Sequence, residues 1–191
     1  MTHSFYDENA EAYASRNRKL PKLRLDAFLS ALSSDARVLE LGCGGGHDSA
    51  YMLSKGFDVM ATDGSAELAK QAEKMTGKPV KVMRFEELEA KNEFDGVWAE
   101  ASLLHVPRKD LPTVLARIRE ALKDGGVFYA SFKAGTAEGH DGFGRYYNYL
   151  SAAWLCELLT TGGWRNIGVD EADGSGYDNK PTRWLHLRAR K

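Results

Sequence analysis

The residues best suited to chemistry in this chain gather behind one short apolar run. In "ARVLELGCGGGHDSAYMLSKGFDVMATDGS", residues 36–65, the glycines Gly42, Gly44, Gly45 and Gly46 follow "VLEL", and Asp63 closes the next β-prone run. Without a Cβ, such a loop lets an electron-rich group approach the backbone amides at a helix start. An acid at the end of the second run can accept hydrogen bonds from both hydroxyls of a ribose. Loop plus acid is the chemistry of an adenosine-type cofactor. Two plainer readings stand beside it: a tight strand-to-helix turn, which one or two glycines would satisfy, and Asp63 as the cap of a helix beginning near Ser65.

Other residues bear on a second reactant. A histidine titrating near neutrality can remove a proton from an attacking oxygen or nitrogen, so His105, in "LLHV", reads as a base or as packing for the following turn. Arg145, Tyr146, Tyr147 and Tyr149 cluster in "GHDGFGRYYNYLS". This glycine-rich connection suits a lid whose aromatic faces shield a cation or bind a flat substrate, or simply close the core. Glu40 is a charge inside an apolar strand and needs partners such as loop amides or a cofactor's amino group. Cys43 reads as a small residue that fits beside glycine rather than as a nucleophile.

These residues need a frame that sets them at one end of a sheet. "VLEL" (38–41), "FDVMAT" (57–62), "VKVMRF" (80–85), "FDGVWAE" (94–100) and "VFYASF" (127–132) read as strands. Helical stretches separate them: "HDSAYMLSKG", a segment capped by Ser65 with Leu68, Ala69, Ala72 and Met75 on one face, and Leu111, Val114, Leu115, Ile118 and Leu122 at i, i+3, i+4, i+7 before "DGG". That alternation predicts an α/β chain with a doubly wound, Rossmann-like sheet covered by helices on both faces. After a helix at 151–161, two β-prone runs joined by Gly, Asp, Asn and Pro predict an antiparallel C-terminal hairpin. Ahead of the first strand, stripes at Tyr6, Ala10, Tyr13, Ala14 and at Leu25, Phe28, Leu29, Leu32 predict extra helices.

Composition bounds the function. The 191 residues fit one domain, and Lys plus Arg (26) nearly balance Asp plus Glu (27), giving a net charge of -1. That balance lacks the positive field that attracts nucleic acid. The first residues lack an apolar signal core and an Arg-rich transit character, and no apolar run approaches membrane-spanning length, so a cytoplasmic address is expected. Cys43 and Cys156 match no metal spacing and are too few for a disulfide framework, so both read as reduced thiols, and no metal is expected.

The wording of the loop selects among adenosine cofactors. In the register starting at Gly42, G-x-G-x-x-G places His47 where its third glycine belongs, and no Lys-Ser or Lys-Thr follows to make a P-loop. "VLELGCGGGHDS" instead resembles the first motif of class I S-adenosylmethionine-dependent methyltransferases, and "ATDGS" resembles their second-strand acid. "RFEEL" (84–88), "FDGVWAEASLLHV", "LKDGGVFYASF" and "LLTTGGWRNIGV" are similar to later elements of that family, so the resemblance spans nearly the whole chain. Its third element often carries an aspartate, where this chain has Glu86 and Glu87. The overall pattern is also similar to the small bacterial branch that includes the tellurite-resistance methyltransferases.

The resemblance implies a seven-stranded sheet in a single domain, 1–191, with residues 1–35 as a helical cap over the cofactor. It implies that S-adenosylmethionine is held by Tyr13, Arg18, Glu40, Gly42, Cys43, Gly44, Asp63, Gly64, Phe85, Glu86, Ala99 and Glu100. His105 is then the catalytic candidate, and Arg145, Tyr146 and Tyr147 are substrate-binding candidates. The implied partner is a small-molecule acceptor, without nucleic acid or membrane; oligomeric state is not legible. A nicotinamide-dependent oxidoreductase and a non-catalytic S-adenosylmethionine-binding protein are the alternatives.

Overall fold

Strand β1, Arg37–Leu41, sends alternate residues to opposite sides, and the two sides belong to different cores. Leu39 and Leu41 pack in one cluster with Val97, Phe128 and Leu187, whereas Val38 packs in another with Trp98 and Tyr129. A strand buried on both faces needs helices on both, and the computed structural model, which describes residues 2–191, has them. Helices α1 (Thr2–Glu8), α2 (Ala10–Ser15) and α3 (Lys22–Leu29) precede β1. Then come α4 (His47–Ser54), β2 (Asp58–Asp63), α5 (Ala66–Thr76), β3 (Lys81–Val82), β4 (Phe94–Ala99), α6 (Leu111–Ala121) and β5 (Leu122–Lys133). The chain continues through β6 (Glu138–His140), β7 (Tyr146–Asn148), α7 (Ala152–Thr161), β8 (Arg165–Ser175) and β9 (Pro181–Arg190).

Seven strands form one sheet in the order β3-β2-β1-β4-β5-β9-β8. The first five are parallel, β9 runs antiparallel to β5, and β8 to β9, as the expected C-terminal hairpin. Leucines and valines of α6 and α7 cover one face, and α3 with Met52 of α4 covers the other. Small residues let α5 lie close: Ala69 and Ala72 pack on Ala61 of β2 and on Cys43. The strand order reverses between β1 and β4, which opens a crevice at their carboxyl ends.

Several elements depart from the sequence expectation. "VKVMRF" keeps only Lys81–Val82 as strand, both exposed, and turns into a single 3-10 turn at Phe85–Glu87. "DGG" does not close α6 by itself: Leu122 already pairs with Phe94, Val127 pairs with Gly96, and the glycines sit in the bulge between these pairs. The amino-terminal stripe is two helices broken at Asn9. The glycine-rich connection is an ordered hairpin in which Glu138, Gly139 and His140 pair with Asn148, Tyr147 and Tyr146. Asp141 closes its turn by accepting the amides of Phe143 and Arg145. Among the described residues, no helix is long and apolar enough to cross a membrane.

Candidate active site

The glycine loop folds back onto β2. The amides of Gly42 and Cys43 both donate to the Thr62 carbonyl at 2.9 Å. Asp63 then ties the loop to the next helix: one carboxylate oxygen accepts the Gly44 amide and the other the Ser65 amide, each at 2.8 Å. Burial pushes Asp63 up to about 6 against the pull of those amides. The cap of α5 is Ser65, whose Oγ accepts the Leu68 amide at 3.1 Å and donates to Asp7 at 2.6 Å.

Two glycines show why side chains are excluded here. Gly42 has φ +74°, and a Cβ on it would lie 2.5 Å from the Cβ of Ser102. A Cβ on Gly45 would lie 2.9 Å from the Cα of Ala14, so the loop is wedged against α2 as well as against the segment after β4. The plain turn reading accounts for neither approach.

A cavity of about 510 Å³ opens over this loop. Gly42, Gly44, Asp63, Gly64, Leu68, Phe85, Glu86, Ala101 and Ser102 line it. Tyr6, Tyr13 and His105 line the same space. The Ser102 hydroxyl is buried without a protein partner, a polar atom left for a ligand.

His105 is held at both nitrogens. Its Nδ1 lies 2.6 Å from the carbonyl oxygen of Tyr146, and its Nε2 lies 2.8 Å from the Tyr6 hydroxyl. A carbonyl only accepts, so Nδ1 carries the hydrogen, and the Nε2 lone pair accepts a hydrogen bond from the Tyr6 hydroxyl. Burial, reinforced by the Arg145 and Lys133 charges, lowers His105 to about 4, leaving it neutral at physiological pH. Burial raises the Tyr6 phenol, and Arg145 works in the opposite direction.

Eight of the expected residues thus lie on the cavity wall: Tyr13, Gly42, Gly44, Asp63, Gly64, Phe85, Glu86 and His105. The others lie behind it. Arg18 forks onto Asp48 at 2.5 and 3.1 Å, and Asp48 also accepts the Trp98 indole at 2.9 Å. Burial opposes the Arg18 charge, but Asp48 outweighs it and raises the guanidinium's pKa. Glu40 accepts the Ser49 hydroxyl, and burial with the charge of Asp48 pushes it up. Glu100 accepts the Tyr129 hydroxyl at 2.8 Å and is raised by burial. Ala99 is fully buried in the core, and burial pushes the Cys43 thiol up.

The three acceptor-side candidates also stand back. Arg145, only 2% exposed, pairs with Asp141 at 2.7 Å inside a cage of Phe5, Phe143, Tyr147 and Tyr177 rings at 4.8 to 5.3 Å. The Tyr146 hydroxyl donates to Glu138, while its carbonyl orients His105. Tyr147 is buried with its ring 4.7 Å from that of His105. Sequence reasoning missed Tyr6 and Ser102 as site residues. Tyr6 carried a signal, a second phenol on the same helical stripe as Tyr13; Ser102 carried none.

An open α/β sheet with an acid-locked glycine loop at its reversal point, and a tyrosine-histidine pair lining the same cavity, is the architecture of a nucleoside-cofactor site. Residues 38–126 match the methyltransferase domain family, and the chain shares the fold of S-adenosylmethionine-dependent methyltransferases. It is 35% identical over 120 residues to a ubiquinone biosynthesis O-methyltransferase of Xanthomonas oryzae, covering 59% of this chain and 49% of that protein. The chain thus spans about half the length of the curated relatives it matches. Among solved structures it is similar to the Burkholderia thailandensis 1,6-didemethyltoxoflavin-N1-methyltransferase bound to its substrate and S-adenosylhomocysteine. The TM-score is 0.72 at 26% identity, over 100% of this chain and 83% of the other. The Haemonchus contortus phosphoethanolamine N-methyltransferase 2 shares the fold, with a TM-score of 0.78 at 17% identity over 100% of this chain and 60% of that one. The residues present fit S-adenosylmethionine: a carboxylate for the ribose, Leu68 and Phe85 as apolar walls for a flat base, and the unpartnered Ser102 hydroxyl.

Proposed function

We propose that this protein transfers a methyl group from S-adenosylmethionine to an O–H or ring N–H of a small molecule. The observation that carries this reading is that the acid-locked glycine loop and the Tyr6–His105 pair line one cavity. In it, Asp63 takes the ribose, Gly42, Gly44 and Gly64 offer backbone, and Phe85 and Glu86 take the adenine. Tyr13 covers the methionine end, backed by Cys43, Ala99 and the buried set Arg18, Glu40 and Glu100. When bound, the cofactor supplies an electrophilic methyl group on a sulfonium.

The chain's own part is to place the acceptor and move its proton. With the Nε2 lone pair already engaged by Tyr6, an acceptor hydrogen passes to the Tyr6 oxygen as the Tyr6 proton passes to His105 Nε2. The Tyr146 carbonyl steadies the imidazolium so formed. A base held at about 4 is weak, and it suits a proton made acidic as the new bond to carbon forms. That condition favours a hydroxyl or heteroaromatic N–H over an aliphatic amine. Arg145, Tyr146 and Tyr147 shape the acceptor side by fixing Tyr6 and His105.

A small acceptor agrees with the net charge of -1 and with the relatives, which act in ubiquinone biosynthesis and on N1 of 1,6-didemethyltoxoflavin. The reading includes a single domain with residues 1–35 as its cap, no nucleic-acid or membrane partner, and a cytoplasmic place suited to two unpaired thiols. Calorimetry tests the cofactor: S-adenosylmethionine and S-adenosylhomocysteine bind and NAD does not, and tighter NAD binding overturns the reading. A screen of phenols, enols and N-heterocycles for S-adenosylhomocysteine release tests the reaction. With the best acceptor, His105→Gln lowers turnover by about 10² to 10⁴ and leaves cofactor affinity near wild type. Binding without turnover on any acceptor would favour the non-catalytic alternative.

A further inference from the structure

The Tyr146 carbonyl that sets the His105 tautomer lies on β7, half of a two-stranded sheet with three residue pairs. A two-stranded sheet of that size does not hold its own shape in water, so its position must be imposed from outside. The side chain that imposes it is Arg108. Arg108 Nη2 donates to the carbonyls of Tyr149 at 2.8 Å, Thr136 at 3.2 Å and Ala137 at 3.3 Å. Its Nη1 also reaches the Thr136 carbonyl at 3.2 Å, and its Nε reaches Asn148 Oδ1 at 3.2 Å. Its backbone amide donates to Glu138 at 3.2 Å.

One guanidinium therefore grips both strands of the hairpin, Thr136 and Ala137 leading into β6, Asn148 and Tyr149 closing β7. Among the described residues, its side-chain hydrogen bonds go to carbonyl and amide oxygens and none to a carboxylate. Arg108 stands three residues after His105 on the segment between β4 and α6, and Pro107 between them lines the cavity. The base and the clamp on its orienting carbonyl are thus carried by one short segment. Arginine keeps its charge and its planar fork at any working pH, which a lysine cannot match at five donor contacts.

We infer that Arg108 is a positioning residue of the methyl-transfer site: it fixes the β6–β7 hairpin so that the Tyr146 carbonyl holds His105 in the Nδ1–H form, with Nε2 facing Tyr6. The inference rests on the proposed reading of His105 as the base, yet its effect is visible without any acceptor.

The test is ¹⁵N NMR of the imidazoles in ligand-free protein, with His105 assigned as the signal that His105→Gln removes. Wild type shows the Nδ1–H tautomer. Arg108→Met shows a mixture of tautomers, a His105 pKa higher by about one unit or more as water reaches the ring, and at least about tenfold faster amide exchange at Tyr147 and Asn148. Its affinity for S-adenosylhomocysteine stays within about twofold of wild type, because Arg108 touches no cofactor wall. Arg108→Lys restores the tautomer in part, and it carries the test if Arg108→Met does not fold. A variant that melts earlier yet keeps the wild-type tautomer and His105 pKa overturns the inference, since a merely structural arginine gives that result. If His105→Gln keeps full turnover, the base reading falls while the tautomer measurement still decides the role of Arg108 in orienting that ring.

Discussion

Asp63 is held by two forces of opposite sign. Burial favours its neutral form, while the Gly44 and Ser65 amides favour the carboxylate. Ribose hydroxyls would add two more donors to the charged form, each such bond worth about 1.5 to 3 kcal/mol. Asp63→Asn keeps an acceptor for one loop amide and loses the charge, so S-adenosylhomocysteine should bind at least about tenfold more weakly by calorimetry while the melting temperature changes little. Asp63→Ala frees both amides and should lower the melting temperature as well. Wild-type affinity in folded Asp63→Asn would leave the residue as a brace of the loop and nothing more. This residue was legible because its role is local: Asp63 and the Gly44 amide it accepts are 19 positions apart, at the ends of adjacent parallel strands. Tyr6 and His105 are 99 positions apart, and no periodicity or spacing links them. Their pairing depends on how α1 docks, which only the folded chain displays.

Helices and interior strands were legible for a physical reason: each is long enough to show its own period or an uninterrupted apolar run. β3 was legible as a strand, but as too long a one, because its apolar neighbours Val80 and Met83 are buried outside the two exposed residues that pair at the sheet edge. The β6–β7 hairpin was not, because its pairing is held by Asp141, Arg108 and the packing on His105 rather than by strand propensity. The amino-terminal helices were legible as helices, but their docking was not. It rests on the missing Cβ of Gly45 beside Ala14. Gly45→Val should therefore push α2 off the loop and displace Tyr6 and Tyr13 from the cavity. Expected are a loss of about 1 to 3 kcal/mol of stability and S-adenosylhomocysteine binding weakened more than the fold. A folded Gly45→Val with unchanged affinity would show that the helices do not close the cofactor site.

At the scale of the molecule, the sheet gathers ionisable groups at one end and burial sets their balance. Asp63 is raised to about 6, so the stability that its protonated form lends is present at low pH and lost as pH rises through that value. His105 is lowered to about 4, so its contribution runs the other way, present above the ordinary histidine range and lost as pH falls toward 4. Between about 4 and 6 the two oppose each other; His186, also lowered to about 4 by burial, acts with His105, while the raised carboxyls Glu40 and Glu100 act with Asp63, so stability there changes less with pH than any one of these groups alone would make it. Above about pH 7.5 His105 is neutral in both folded and unfolded chains and no longer contributes a slope. Glu40 remains: burial and the Asp48 charge raise it, with Arg18 and the Ser49 hydroxyl opposing and Asp63 adding repulsion, so rising pH forces a buried carboxyl to ionise and the fold loses stability. Glu40→Gln keeps a side-chain oxygen for Ser49 and removes the ionisation. Scanning calorimetry should find this variant no more stable than wild type at pH 6, but ahead of it at pH 8.5, each kcal/mol of gain appearing as about 2 to 4 °C in a chain of this size. A variant-minus-wild-type difference that is the same at both pH values would mean that Glu40 is already ionised in the fold, held by Arg18, and that the slope must come from Glu100, a further buried carboxyl raised by desolvation.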